Sequence, residues 1–373
     1  MIVAVALAGC PSNREAPAPP AKDSSNATAP RASVTLRLVV VNARPLAEAI
    51  NRLRGEWAER SGGELAAQAV DWKDVADAKQ LDADAIIFPS RYLGELCRRG
   101  WLRPVRGSVL DAQELKFADF FPLVRNELLK WGGETMALPL GIDATSFTST
   151  SSVASRRPAL ALLLEAGPVA ITNEKLGFLF DTETMKPRIT ERAFLEALTR
   201  LKQSAAPGEN DVQAADSQNA TAGLPLLGWN DRLISVSAST HNAASAFRLI
   251  AWLAQPEAST QLAHATEKMM PARSSLANSP QWYDPAISPE DRKSLSERLV
   301  TQLNGERCIL VPRLPGIDDY LAALDEAVEA AIGDKMTPGA ALQAAAVRWE
   351  AITDAAGRSA QRVAYLKHLN VAE

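Results

Sequence analysis

Val34-Thr-Leu-Arg-Leu-Val-Val-Val41, followed by Asn42-Ala-Arg-Pro45, decides how this chain is read. The run is β-branched and Leu-rich. It alternates at first and then becomes continuously apolar, the pattern of a strand buried on both faces. Pro45 suits the first turn of a helix, because its missing N–H has no intrahelical partner there. Leu46, Ile50, Leu53 and Trp57 then recur at helical spacing, and Ser61-Gly62-Gly63 ends the segment.

The same alternation continues along the chain. A second strand is expected over Ala66–Val70, closed by Asp71-Trp72, with a short helix from about Asp74. A third is expected over Ala85–Phe88. Pro89-Ser90 ends it, Ser90 is placed to cap a helix over Arg91–Arg99, and Gly100 stands where a C-terminal glycine belongs. Strand–helix repeats of this kind predict an α/β fold with a parallel sheet. Ligands of open α/β sheets bind beyond the C-terminal strand ends. Here those turns carry Trp72, Ser90, Arg91 and Tyr92. Trp72 and Tyr92 have two readings, as flat faces for a sugar or as caps on the edge of the core.

The last third reads as helical. Ala243–Gln255 carries Phe247, Ile250 and Leu253, and Pro256 ends it; a second helix follows over Glu257–His264. Asp318 is placed to cap a helix with Leu321, Leu324, Val328 and Ile332 on one stripe. Thr337-Pro338 reads as the cap and first residue of another, with Leu342, Ala345, Trp349 and Ile352 as its apolar stripe and Gly357 as its stop. Between about Thr145 and Gly223 the pattern is weak. Thr148–Ser152 reads as a loop, Ala159–Ala166 as a short apolar helix, and Ala205–Ala222 as a polar, Ala-rich stretch with Pro207-Gly208.

Before the first strand the composition changes. Met1–Gly9 is almost wholly apolar and ends in Leu7-Ala8-Gly9-Cys10, which resembles a bacterial lipobox with Cys10 as the lipidated residue. The rival reading is a chance tetrapeptide in an Ala-rich chain. No Lys or Arg precedes Cys10, although a secretory signal opens with a basic region, so the true start is expected upstream. Residues 11–33 are rich in Pro, Ala, Ser and Asn and read as a disordered linker. Lipidation at Cys10 would tether the mature chain to a membrane without spanning it.

With 47% hydrophobic and 23% charged residues, the 373-residue chain has the composition of a globular body. A net charge of −4 argues against a nucleic-acid partner, which requires a basic face. The sequence carries no zinc-protease, paired-cysteine, nucleophile-elbow, P-loop or dinucleotide-fold motif. His241, His264 and His368 are far apart, and the pairs Asp318-Asp319 and Asp325-Glu326 lie on amphipathic helices. No catalytic residue, metal ligand or cofactor is therefore expected. Cys97 and Cys308 either pair in an oxidising envelope or remain separate buried thiols.

Four segments together resemble the bacterial extracellular solute-binding proteins of sugar-type ABC importers (family 1-like lipoproteins). The first is Asp82-Ala-Asp84-Ala-Ile-Ile-Phe-Pro-Ser90-Arg-Tyr-Leu-Gly-Glu-Leu96, ending in Gly100-Trp-Leu-Arg-Pro104. The second is Gly133-Glu-Thr-Met-Ala-Leu-Pro-Leu-Gly141. The third is Pro225-Leu-Leu-Gly-Trp229, followed by Leu233–Ser237 and the 243–253 helix. The fourth is Met270-Pro-Ala-Arg-Ser-Ser275. The resemblance covers roughly residues 34–140 and 224–369.

The resemblance implies a two-lobed, periplasmic-binding-protein-like (type II) α/β fold with a helical C-terminus. After Gly141 the chain has Phe147-Thr-Ser-Thr in place of the family's aromatic-basic strand, and the whole stretch to Leu224 is short, which predicts an incomplete second lobe. The expected bounds are a signal remnant over 1–10, a linker over 11–33, a first lobe over 34–144, an abbreviated second lobe and hinge over 145–223, and a return with helical closure over 224–373. The resemblance also implies a monomer that binds a small solute, expected to be a carbohydrate, in an interlobe cleft and delivers it to ABC permease subunits. Its place would be the periplasm or cell envelope. Trp72, Ser90, Arg91, Tyr92, Asp143, Trp229, Asn230, Asp231 and Arg273 are the candidate ligand residues. Trp229 matches the family's Gly-Trp step, with hinge packing as its rival reading. Asp143 has turn capping as a rival, and Arg273 a structural salt bridge. A non-transport envelope sensor or scaffold on the same fold is the alternative function.

Overall fold

The computed structural model describes residues 34–147, 153–154, 156–171, 177–205, 223–265 and 269–371. The lipobox, the linker, the 148–152 loop and most of the 205–222 stretch lie outside them. Residues from Val34 onward form one compact unit.

The opening strand is β1 (Thr35–Val41). It pairs in parallel with β2 (Glu64–Val70) over its full length and with β3 (Ala85–Pro89) over Leu38–Val40. The helix expected after Pro45 forms as two pieces, Arg44–Arg52 and Arg54–Ser61, joined at Leu53. Gly62 ends the second with a left-handed backbone (φ 69°). Ser90 caps nothing. It opens a short turn, the helix runs only over Leu93–Arg98, and the Ser90 hydroxyl is spent elsewhere.

The sheet is mixed where a parallel one is expected. Beyond β3 come β4 (Leu102–Arg103), a small hairpin of β5 (Lys130–Trp131) and β6 (Glu134–Thr135), and β7 (Leu138–Asp143). After β8 (Leu226–Leu227), β9 (Arg232–Ser237) inserts antiparallel between β3 and β7. Pro89 faces Arg232, and Ala85 faces Val236. With β10 (Met269–Met270) at the edge, the order is β10-β7-β9-β3-β1-β2, and β4 also pairs with β9. The pattern of β9 shows a buried strand, but its direction follows from the return of the chain from the far side of the molecule. The C-terminal ends of β1, β2, β3 and β7 and the start of β9 consequently meet at one edge.

The other part is helical. Helices Pro158–Ala170, Arg192–Ala205, Ile317–Ile332 and Pro338–Ala355 pack together. Phe180 lies at their centre, with ring centroids 5.0 Å from Trp349 and 5.5 Å from both Tyr320 and Tyr365. The Trp349 indole N–H donates to the Tyr320 carbonyl at 2.7 Å, so its one polar atom is satisfied. Among the described residues the only strand pairing in this part that joins named strands is β8 with β11 (Ile309–Leu310), two residues each and parallel. Thr337 caps its helix as expected, accepting from the Ala340 N–H.

The last helix, Arg358–His368, ties the parts together. The Tyr365 hydroxyl accepts from the Leu179 and Phe180 N–H groups, and the Lys367 carbonyl accepts from the Gly132 N–H. Arg313 is fully buried beside it and donates to the Leu128 and His368 carbonyls and to His368 Nδ1. Cys97 and Cys308 are separate thiols, and burial pushes Cys97 up to about 12.

Candidate functional site

The edge where the strand ends meet gathers eight of the nine candidate residues. Asn42, just past β1, has a left-handed backbone (φ 52°), and its side-chain oxygen accepts from the Trp72 N–H at 2.8 Å. That bond holds Trp72 over Tyr92, with ring centroids 3.7 Å apart and planes 5° from parallel. The Arg91 guanidinium lies 4.3 Å from the ring centres of both Tyr92 and Trp229. It also donates to the Trp229 carbonyl, to the Asn230 side chain and to the Tyr92 hydroxyl. Arg157 approaches the Trp229 ring at 5.5 Å. The flat groups at this edge thus form one connected set, with Trp72 half-buried and Tyr92 and Trp229 buried.

Beneath them lies Asp231, with no solvent exposure. Its carboxylate accepts from the Ser90 hydroxyl (2.8 Å), the Gly228 N–H (2.7 Å) and the Asp143 N–H (3.0 Å). Three segments far apart in sequence are joined through this one side chain. Burial pushes its carboxyl up from 3.8 to about 6, against the lowering effect of those hydrogen bonds. Gly228 is required here. Its φ is +88°, and a Cβ would come within 2.9 Å of the Val311 carbonyl oxygen. Arg232, next in sequence, is buried and donates to the carbonyls of Val41 and Asn42; desolvation lowers it to about 10.

The eight residues therefore have different roles. Ser90 and Asp231 are closed to solvent and bonded to each other, so they position the edge and do not face a solute. The Asp143 carboxylate accepts from the Thr145 N–H at 2.7 Å, the turn capping that rivalled its ligand reading. Trp72, Arg91, Tyr92, Trp229 and Asn230 form the surface of the cluster. Arg273 is elsewhere. It is buried against Phe120, its guanidinium carbon 3.6 Å from the ring centre, and donates to the carbonyls of Ala254, Leu115 and Lys116 and to Asp119. Its expected place at the ligand is corrected to a structural one.

Asp318 was missed by the sequence reading. Gly316, not Asp318, is the N-cap of the Ile317–Ile332 helix. The Asp318 carboxylate instead accepts from Arg91 Nε at 3.0 Å and from the Tyr92 hydroxyl at 2.7 Å. An acid in the first turn of a helix is an ordinary dipole pattern, so nothing local signals a partner 227 residues away. Arg157, Arg232 and Asn42 were not among the candidates either; Asn42, on the turn after the first strand, and Arg232, adjacent to Asp231, had neighbourhoods that pointed to them. Among the described residues no group of three or more His, Cys, Asp or Glu side chains is placed to hold a metal ion. None of their helices is long and apolar enough to cross a membrane.

No family model matches the chain, and no curated protein matches it. Solved structures do. The sugar-binding protein MalE of Xanthomonas citri superimposes with a TM-score of 0.61 at 14% identity, over 87% of this chain and 98% of that one. An ABC-transporter solute-binding protein of Agrobacterium radiobacter K84, in complex with ribitol, gives 0.56 at 16% identity, over 86% and 98%. One from Agrobacterium vitis S4, with bound D-mannitol, gives 0.53 at 14%, over 87% and 99%. With its mixed α/β sheet, its helical second part and these neighbours, the chain has the periplasmic-binding-protein-like fold of sugar-type ABC-transporter solute-binding proteins.

Proposed function

We propose that this chain is the solute-binding component of an ABC importer and captures a small carbohydrate-like solute between its two lobes. The observation that carries the reading is the cluster of Trp72, Arg91, Tyr92, Trp229 and Asn230 at the ligand-binding edge of the sheet, facing Asp318 of the helical part. Aromatic faces stack on sugar rings, and planar polar groups match their hydroxyls. Capture favours the closed arrangement through differential affinity for it. Two of the neighbours hold ribitol and D-mannitol, and others hold maltose and maltotetraose, which fits a polyhydroxyl solute. Lipidation at Cys10 would hold the protein at the envelope membrane, and permease subunits would be its partners. The reaction is binding and release, with no catalytic residue.

A thermal-shift screen of mono- and oligosaccharides tests this. A ligand at about 100 times its dissociation constant raises folded-state stability by about 2.7 kcal/mol. A concentration-dependent rise in melting temperature supports the reading, and a panel with no shift opposes it. The mutual stacking of Trp72, Tyr92, Arg91 and Trp229 favours a second reading, an envelope sensor or scaffold whose cleft is filled by its own side chains. Recovery of a non-permease partner together with no small-molecule shift would select it.

A further inference from the structure

Arg91 and Tyr92 form a two-donor fork. The Arg91 Nε–H reaches Asp318 Oδ1 at 3.0 Å, and the Tyr92 O–H reaches Asp318 Oδ2 at 2.7 Å, so one carboxylate receives one charged and one neutral donor. The fork is rigid. Arg91 is held between two rings and bonded to the Trp229 carbonyl and the Asn230 side chain, and Tyr92 is stacked on Trp72. The carboxylate is the looser partner: the Asp318 side chain is 47% exposed and that of Arg91 12%. Asp318 also belongs to the helical part, whereas both donors sit on the short turn that follows β3 of the sheet. Separation of the two parts would remove the acceptor and leave the donors in place.

We propose that this fork is the subsite for a carboxylate on the solute, that the preferred solute is an acidic sugar such as a uronic acid, and that Asp318 is its internal stand-in. The proposal rests on the solute-binding reading and narrows it. An emptied fork leaves a largely buried guanidinium without its anion, and a neutral hydroxyl returns only one weak acceptor, whereas a carboxylate restores both bonds. Arg157, 5.5 Å from the Trp229 ring centre, is a second cation on the same indole that Arg91 packs against. Asp143 lies at the same edge, with its carboxylate turned to the Thr145 N–H.

Calorimetric titration of the full chain with D-glucuronate and D-galacturonate, against D-glucose and D-galactose, tests the proposal. The acids are expected to bind at least about tenfold more tightly, in keeping with a charge-assisted pair of bonds. Asp318→Ala, which removes the competitor, is expected to tighten the acids more than the neutral sugars and so to widen the preference. Tyr92→Phe, which retains the stack, is expected to shrink the preference. Neutral sugars binding as well as or better than the acids would overturn the acidic-solute proposal and leave solute binding standing. Asp318→Ala weakening the acids would overturn the stand-in role. No binding by either pair would overturn the proposal, and with the wider saccharide panel also silent, the solute-binding reading as well.

Discussion

Replacing Asp231 by Asn should change the pH dependence of stability as well as stability itself. The carboxyl is fully buried, and burial raises it from 3.8 to about 6. The folded state therefore holds a proton that the unfolded chain releases between these values. Stability from this group is fully present below 3.8 and is lost as pH rises through about 6. Linkage gives on the order of 1 kcal/mol more stability at pH 5 than at pH 7.5 from this side chain. Asn cannot titrate, so that difference disappears in the variant. Its oxygen can still accept from Ser90 and Gly228, but its NH₂ would face the Asp143 N–H, a mismatch of about 1–3 kcal/mol. Urea unfolding of parent and variant at both pH values reads the effect, and the variant's deficit should be larger at pH 5 by about 1–2 kcal/mol. An equal deficit at both pH values would refute the reasoning that Asp231 is desolvated at the junction.

Other substitutions report on the rest of the structure. Burial holds the His368 imidazole well below 6.5, and the charge of Arg313 beside it lowers it further; its contribution to stability is present above that value and lost as pH falls below it, opposite in sign to Asp231. His368→Gln should therefore flatten the acid side of a stability–pH curve, and an unchanged slope would count against the burial argument. Trp349→Ala should cost about 3–5 kcal/mol by opening a cavity among Phe180 and Tyr320, measured as a shift in denaturant midpoint. Gly94→Ala should cost about 3 kcal/mol or more, because a Cβ there would lie 1.7 Å from the Arg313 carbonyl oxygen and 2.5 Å from the Trp131 ring. Arg273→Met should lower stability by leaving the carbonyls of Leu115 and Ala254 without their donor, while any solute affinity stays at the parent value.

The legible parts of the fold were those set by local pattern. β1, β2 and β3 follow from apolar runs bounded by turns, and Thr337-Pro338 follows from helix-start chemistry. The antiparallel insertion of β9 was not legible, because its partners lie far back in the chain, β3 by more than 140 residues and β7 by more than 90. Placing Trp72, Arg91 and Tyr92 at one edge required only the rule that parallel strands present their C-terminal ends together. Separating Ser90 and Asp231 from the aromatic and guanidinium set required knowing which groups have no solvent exposure at all, which depends on the whole packing. Arg273 shows the limit of residue type: the same guanidinium that can hold a ligand also ties a loop of carbonyls. Asp318 shows the converse, an ordinary first-turn acid that meets its partners only when two distant parts of the chain pack.

The most direct test of solute capture at the Trp72–Trp229 cluster is calorimetric titration of the full chain and its Trp229→Ala variant with a panel of neutral and acidic saccharides. Saturable heat in the parent, weakened about tenfold or more in the variant by loss of stacking area, is the expected result. Saturable binding that the variant leaves unchanged, or no heat from any saccharide, would contradict it.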